Sequence, residues 1–290
     1  MSVRFPLCVF LAIATAGAAA GCAPVGNGVS GGSDLPSTGA PSTWPTAMVV
    51  LGHSGATGYD SDPARPGEDA KTNSWATGTN PRVGSVYLHA LDQSPALKNN
   101  VTNFAISGSD VDDLPDQVNQ AVREKPLPDL VIIQSVDNDV RCDGTDEANY
   151  AVYGGKITAV LKSIVTAAPQ ARIYVVGQWA TAQNYADVVA TRAELVAQNE
   201  GGGICDLFDA NGQERPGGIA AGQQIADKYG DELRSSCAGF PTCSYGGDEM
   251  RNMVITADDL GPDGSHLTID GLRKMAGIAW RHIQELDPTT

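Results

Sequence analysis

Five consecutive apolar residues, 47–51, stop abruptly at Gly52-His53-Ser54-Gly55-Ala56-Thr57-Gly58. So sharp an end to a short apolar block predicts a strand buried on both faces, as in a parallel sheet. Blocks at 101–106, 130–133, 173–176 and 204–208 predict four more strands. Between them, apolar positions recur at helical spacing. Val83, Val86, Leu88 and Leu91 mark a helix after Pro81, and Leu114, Val118, Ala121 and Val122 mark the next. Residues 150–165 and a stretch ending near Gln198 predict two more. The Gly-rich segment 211–260 carries a helix at 219–234 and reads as an excursion before the last element. That element is the clearest helix, with Leu272, Met275, Ala276, Ala279, Ile283 and Leu286 on one stripe and Thr268 placed to cap it. Strands alternating with helices predict an α/β fold, a parallel five-stranded sheet with helices on both faces.

The amino-terminal residues have a different pattern. Arg4 precedes an apolar run at 5–18 that is too short to span a bilayer, so residues 1–21 are expected to be a signal peptide. Ala19-Ala20-Gly21-Cys22 resembles a bacterial lipobox, with Ala19 where Leu is usual. Cys22 is therefore the expected lipidation site, with simple secretion as the alternative. Residues 22–44, rich in Gly, Ser, Pro and Thr, lack the apolar surface to offset their ordering entropy and predict a flexible tether. Residues 45–290 remain as a single domain.

Charge and cysteine usage narrow the partners. A net charge of −15 argues against nucleic acid and against docking on anionic lipid, leaving the membrane to the possible lipid anchor. Of six cysteines, Cys8 lies in the signal and Cys22 at the anchor. The other four, Cys142, Cys205, Cys237 and Cys243, suggest two disulfides in an exported chain. Three pairings are possible. Cys237 with Cys243 closes a short loop and is the expected one, leaving Cys142 with Cys205. No spacing matches a zinc site, so neither a metal nor a cofactor is expected, and a monomer is. Asp137, Asp139 and Asp143 are spaced as if for calcium, but Arg141 stands where a ligand is wanted. A solvated acidic loop bonded to Arg141 is expected instead.

Three predicted strands end in a chemically useful residue: Ser54 after the first, Gly108 after the second, Asn138 after the third. In a flavodoxin-like order, 2-1-3-4-5, the Ser54 strand lies between the other two, and ligands bind at that carboxyl edge. Ser54 is the expected nucleophile. The N–H groups of Ser54 and Gly108 and the amide of Asn138 can supply an oxyanion hole. Asp263 lies three positions before His266 in a Gly/Pro loop ahead of the last helix, so one turn can bring carboxylate to imidazole. His266 would take the Ser54 proton and Asp263 would orient the ring. An anion-binding turn at Ser54 would leave Asn138, Asp263 and His266 unexplained. A Gly-x-Ser-x-Gly elbow fails at Ala56 and needs more strands before the serine. Trp75 and Trp179 fit either a site wall or the core, and His282 a structural role.

In order, Gly52-His53-Ser54 with Gly58, Asn103-Phe104-Ala105-Ile106-Ser107-Gly108, Val136-Asp137-Asn138-Asp139, and Asp263 with His266 resemble the blocks of the SGNH hydrolases, the Gly-Asp-Ser-Leu esterases and lipases. The resemblance covers about residues 46 to 285. It implies a three-layer α/β/α sandwich, a Ser54–His266–Asp263 triad, and oxyanion donors at Ser54, Gly108 and Asn138. It also implies cleavage of a carboxylic ester, the substrate being an acyl lipid, a simple ester or an O-acetylated glycan. Two positions depart from the family blocks: His53 replaces an aspartate and Val136 a glycine. The first favours an alternative, a catalytically silent envelope binding protein with the same fold.

Overall fold

The apolar block around Val50 forms β1 (Met48–Gly52), buried along its whole length. A computed structural model describes residues 44–285 of the chain. The expected signal peptide, Cys22, nearly all of the tether and Leu286 lie outside the described residues. Four more strands pair with β1 or extend its sheet: β2 (Val101–Asn103), β3 (Leu130–Gln134), β4 (Arg172–Val176) and β5 (Cys243–Tyr245). The order is β2-β1-β3-β4-β5 and every pairing is parallel. Met48 stands opposite both Val101 and Leu130, so the chain reverses at β1, with one neighbour on each side. That reversal opens the crevice where ligands bind in such sheets.

Helices cover both faces because alternate strand residues are apolar on both. Met48, Val50, Ile132, Tyr174 and Val176 face one core with α2 (Val86–Gln93), α5 (Ala182–Val189) and α9 (Ile269–Glu285). Val49, Leu51, Val131, Ile133 and Val175 face the other with α3 (Leu114–Ala121), α4 (Asp146–Ala167) and α7 (Pro216–Ala238). Short helices α1 (Ser54–Thr57), α6 (Ala193–Gln198) and α8 (Gly247–Arg251) complete the set among the described residues. The result is the expected three-layer α/β/α sandwich.

One strand lies elsewhere than the pattern predicts. Residues 204–208 do not join the sheet; Phe208 makes only isolated bridges, to Glu200 and Glu214. Leu207 and Phe208 are buried by packing into the α9-side core, while Ile204 is exposed. A short apolar run signals burial, and burial does not require a ladder. The fifth strand is instead Cys243–Tyr245, half-buried and at the sheet edge, inside the segment expected to be an excursion. The expected helix at 219–234 is the longer α7, which leads the chain back to that edge. The stretch expected to be one helix up to Gln198 is two, α5 and α6. The second strand is regular only to Asn103, whose Oδ1 accepts the Ala105 N–H, although Phe104 and Ile106 still donate to the Val50 and Gly52 carbonyls of β1.

Both disulfides occur in the expected pairing, Cys142–Cys205 and Cys237–Cys243. Two disulfides fit a chain folded in an oxidising compartment. Among the described residues, no helix is long and apolar enough to cross a membrane.

Candidate active site

The site begins at the end of β1. Gly52 adopts φ 132°, and a Cβ there would strike the Gln134 carbonyl on β3, so only glycine lets the chain leave the sheet at this point. Ser54 then opens α1, where its N–H has no partner within the helix. Gly58, in the left-handed conformation, closes α1 by donating its N–H to the Ser54 carbonyl. His53 caps the other end: its Nδ1 accepts the Gly55 N–H at 3.2 Å. An aspartate would cap in the same way. Burial pushes the His53 pKa below its ordinary value; the Asp137 carboxylate opposes this and His266 adds to it.

The loop after α8 brings the imidazole. His266 Nε2 lies 2.7 Å from Ser54 Oγ. Its Nδ1 lies 2.6 Å from Asp263 Oδ2. The other carboxylate oxygen accepts the N–H groups of Ser265 at 2.9 Å and His266 at 3.0 Å. Burial pushes the Asp263 carboxyl up, but the His266 ring and these backbone donors outweigh it and hold it below its ordinary value. Three contacts brace the loop: Arg192 donates to the Gly261 carbonyl, the Tyr185 hydroxyl donates to the Gly264 carbonyl, and Tyr59 packs its ring 4.7 Å from that of His266.

The third block continues β3 into a 3₁₀ turn, Asp137–Asp139. Asn138 lines the same cavity of about 250 Å³ as Ser54, Tyr59, Trp179 and His266. One N–H of its amide donates to the Ser109 carbonyl at 2.7 Å, leaving the second free to donate. Val136 enters the turn at φ 115°, ψ −53°, a strained conformation for a β-branched residue. The second block is held to the nucleophile turn directly. Ile106 N–H donates to the Gly52 carbonyl, and Asn103 donates to the Ala56 carbonyl. Asp69 accepts from both Thr57 Oγ1 and Ser107 Oγ, tying the 59–79 loop to both blocks. Gly108 takes φ 84° just beyond, but it is not among the residues lining the cavity.

The other residues flagged in the sequence divide between the cavity wall and purely structural contacts. Trp75 is fully buried and donates to Gln134; Trp179 lines the cavity and also a second one of about 280 Å³ beside it. His282 bonds Ser244 Oγ at 2.7 Å. The acidic turn is solvated only in part: Asp143 is exposed and Asp137 half-buried. Asp139 is buried and accepts the Val111 N–H, and burial raises its pKa to about 6. Arg141 donates to Thr145 and Asn149 rather than to the acids. Among the described residues, no group of three His, Cys, Asp or Glu side chains is disposed to hold a metal.

Comparison with known proteins agrees at the level of fold. No family model matches the chain, and no curated protein matches its sequence. Among solved structures, a psychrotrophic esterase from a Pseudoalteromonas species aligns with a TM-score of 0.50 at 11% identity, over 83% of this chain and 97% of that one. A phospholipase A1 from Streptomyces albidoflavus aligns at 0.49 and 14%, over 82% and 98%. A GDSL-like lipase from Parabacteroides merdae aligns at 0.48 and 16%, over 81% and 94%. At 11% identity the likeness to the esterase is one of architecture, the α/β/α fold that the sequence blocks imply.

Proposed function

We propose that the protein is a serine hydrolase that cleaves carboxylic esters through an acyl-enzyme. One observation carries this reading: the unbroken hydrogen-bond chain from Asp263 through His266 to Ser54 Oγ. Ser54 Oγ attacks the ester carbonyl while His266 Nε2 takes its proton, and Asp263 stabilises the imidazolium. The carbonyl oxygen becomes negative and meets the Ser54 N–H and the free amide N–H of Asn138, both of which line the cavity; Gly108, the third donor that the sequence resemblance implies, lies outside that lining. Collapse breaks the bond to the alcohol, which leaves with the proton from His266. Water, deprotonated by the same ring, then releases the acid. The substrate is an acyl or acetyl ester. The proposal includes export through residues 1–21, with a lipid on Cys22 that metabolic labelling of wild type and Cys22→Ala would test.

Ser54→Ala should abolish turnover of a short p-nitrophenyl ester while leaving the urea unfolding curve in place. A fluorophosphonate should label wild type at Ser54 and leave the variant unlabelled. Unchanged turnover in Ser54→Ala would end the reading, and a wild type inert to the probe would favour a silent binding protein.

A further inference from the structure

Two buried polar atoms beside the candidate triad lack a hydrogen-bond partner, and they belong to facing residues: His53 Nε2 and Asp137 Oδ1. His53 is 3% exposed and immediately precedes Ser54. Its Nδ1 accepts the Gly55 N–H, and a ring nitrogen that accepts carries no proton. The neutral ring therefore holds its proton on Nε2. That N–H faces the Asp137 carboxylate, with Nε2 3.5 Å from Oδ2. A shift of about 0.5 Å would make this a formed hydrogen bond. Asp137 opens the turn that carries Asn138, and both residues line the cavity beside Ser54.

We propose that His53 is a positioning residue whose Nε2–H engages Asp137 and ties the Asn138 turn to the turn that carries Ser54. This rests on the ester-hydrolase reading of the same site. Catalytic hydrogen bonds are often long in the empty enzyme and tighten in the reacting complex. Closing this one draws residue 137, and with it Asn138, toward the nucleophile as the carbonyl oxygen gains charge. The benefit falls on the transition state, so its loss lowers kcat and spares KM. The aspartate of the family blocks would cap α1 equally well, but it has no proton to offer Asp137 and would oppose it with like charge.

His53→Asn separates the two roles. Its side-chain oxygen still accepts the Gly55 N–H, but the side chain is too short to reach Asp137. It should lower kcat about tenfold, with KM changed by less than about twofold. The same substitution made in an Asp137→Ala background should change kcat by less than about twofold, because the partner is already gone. Equal losses in both backgrounds, or no loss in wild type, would overturn the assignment, since capping and packing do not need Asp137. Fluorophosphonate labelling of all four proteins separates the levels of failure. A wild type that does not label refutes the hydrolase reading; one that labels no faster than His53→Asn refutes the role of His53 alone. If His53→Asn does not fold, nitrogen NMR of the histidine rings in wild type and Asp137→Ala decides the matter. A proton on Nε2 with a signal that moves when Asp137 is removed supports the pair, and a proton on Nδ1 or an unmoved signal overturns it.

Discussion

Asp263→Asn replaces a single oxygen by an NH₂ group, and the hydrogen bonds around it leave that group one place to go. The Asp263 oxygen that faces the backbone accepts two N–H groups, from Ser265 and His266. An asparagine must keep its carbonyl oxygen there, because turning its NH₂ toward two donors would leave all of them unpaired. The NH₂ is then forced against His266 Nδ1, which the native carboxylate approaches to 2.6 Å. Nδ1 must accept, so the ring carries its proton on Nε2, pointing at Ser54 Oγ 2.7 Å away. In that tautomer the ring cannot take the serine proton. The imidazolium that would form during attack also loses the charge opposite it.

A triad with the wrong tautomer loses about 10⁴ in kcat, or roughly 5.5 kcal/mol of transition-state stabilisation. The assay is kcat and KM on a short p-nitrophenyl ester, with urea unfolding as the control for structure. KM should change little, since the ring and the loop keep their places. A loss below about tenfold in a folded Asp263→Asn protein would refute the orientation argument. It would mean that another group sets the ring, and the next candidate is the Tyr59 ring packed beside it at a tilt.

Two further predictions concern the third block. Val136→Gly relieves a φ of 115°, about 1–3 kcal/mol of strain, and gives up a buried side chain of similar worth. It should therefore be near neutral in urea unfolding, while Val136→Ala, which keeps the strain and loses packing, should be the more destabilised; the reverse order would refute the strain. Asp139 has its pKa raised to about 6 by burial, so its charge opposes folding once pH rises through the window from 3.8 to about 6. Asp139→Asn should gain about 1–3 kcal/mol at pH 8 and nothing below pH 3.8, read from unfolding curves at both pH values.

How legible the site is in the sequence depends on what each residue does. Ser54, Asn138 and His266 stand where an apolar block ends or just before a strongly periodic helix, and such ends are marked by composition. The bracing residues carry no such mark. Tyr185 and Arg192 hold the loop that carries Asp263 and His266 through its carbonyls, contacts set by how α5 and the stretch after it pack against that loop. Asp69 lies in a Gly/Pro-rich loop and gains meaning only because Thr57, at the end of α1, and Ser107, in the turn beyond β2, converge on it. The capping role of His53 is hidden by its identity: the position asks for an acceptor two residues before Gly55, and imidazole nitrogen is not a usual one.

The misplaced fifth strand shows why the site stayed legible when the sheet edge did not. Leu207 and Phe208 within 204–208 are buried, whereas Cys243–Tyr245 is a half-buried edge strand with one neighbour. Burial leaves a strong trace in sequence; an edge ladder leaves little, since the pairing lies in backbone groups. The candidate site draws on neither stretch. Its serine comes directly after β1, its amides come after β2 and β3, and its histidine arrives on the loop before α9. The strands before Ser54 and Asn138, β1 and β3, lie inside the sheet, where burial on both faces requires apolar residues throughout and makes their ends abrupt, whereas β2 is a half-buried edge strand. The same burial that makes the central strands recognisable therefore marks where the chain turns out of the sheet, and that is where Ser54 and Asn138 stand.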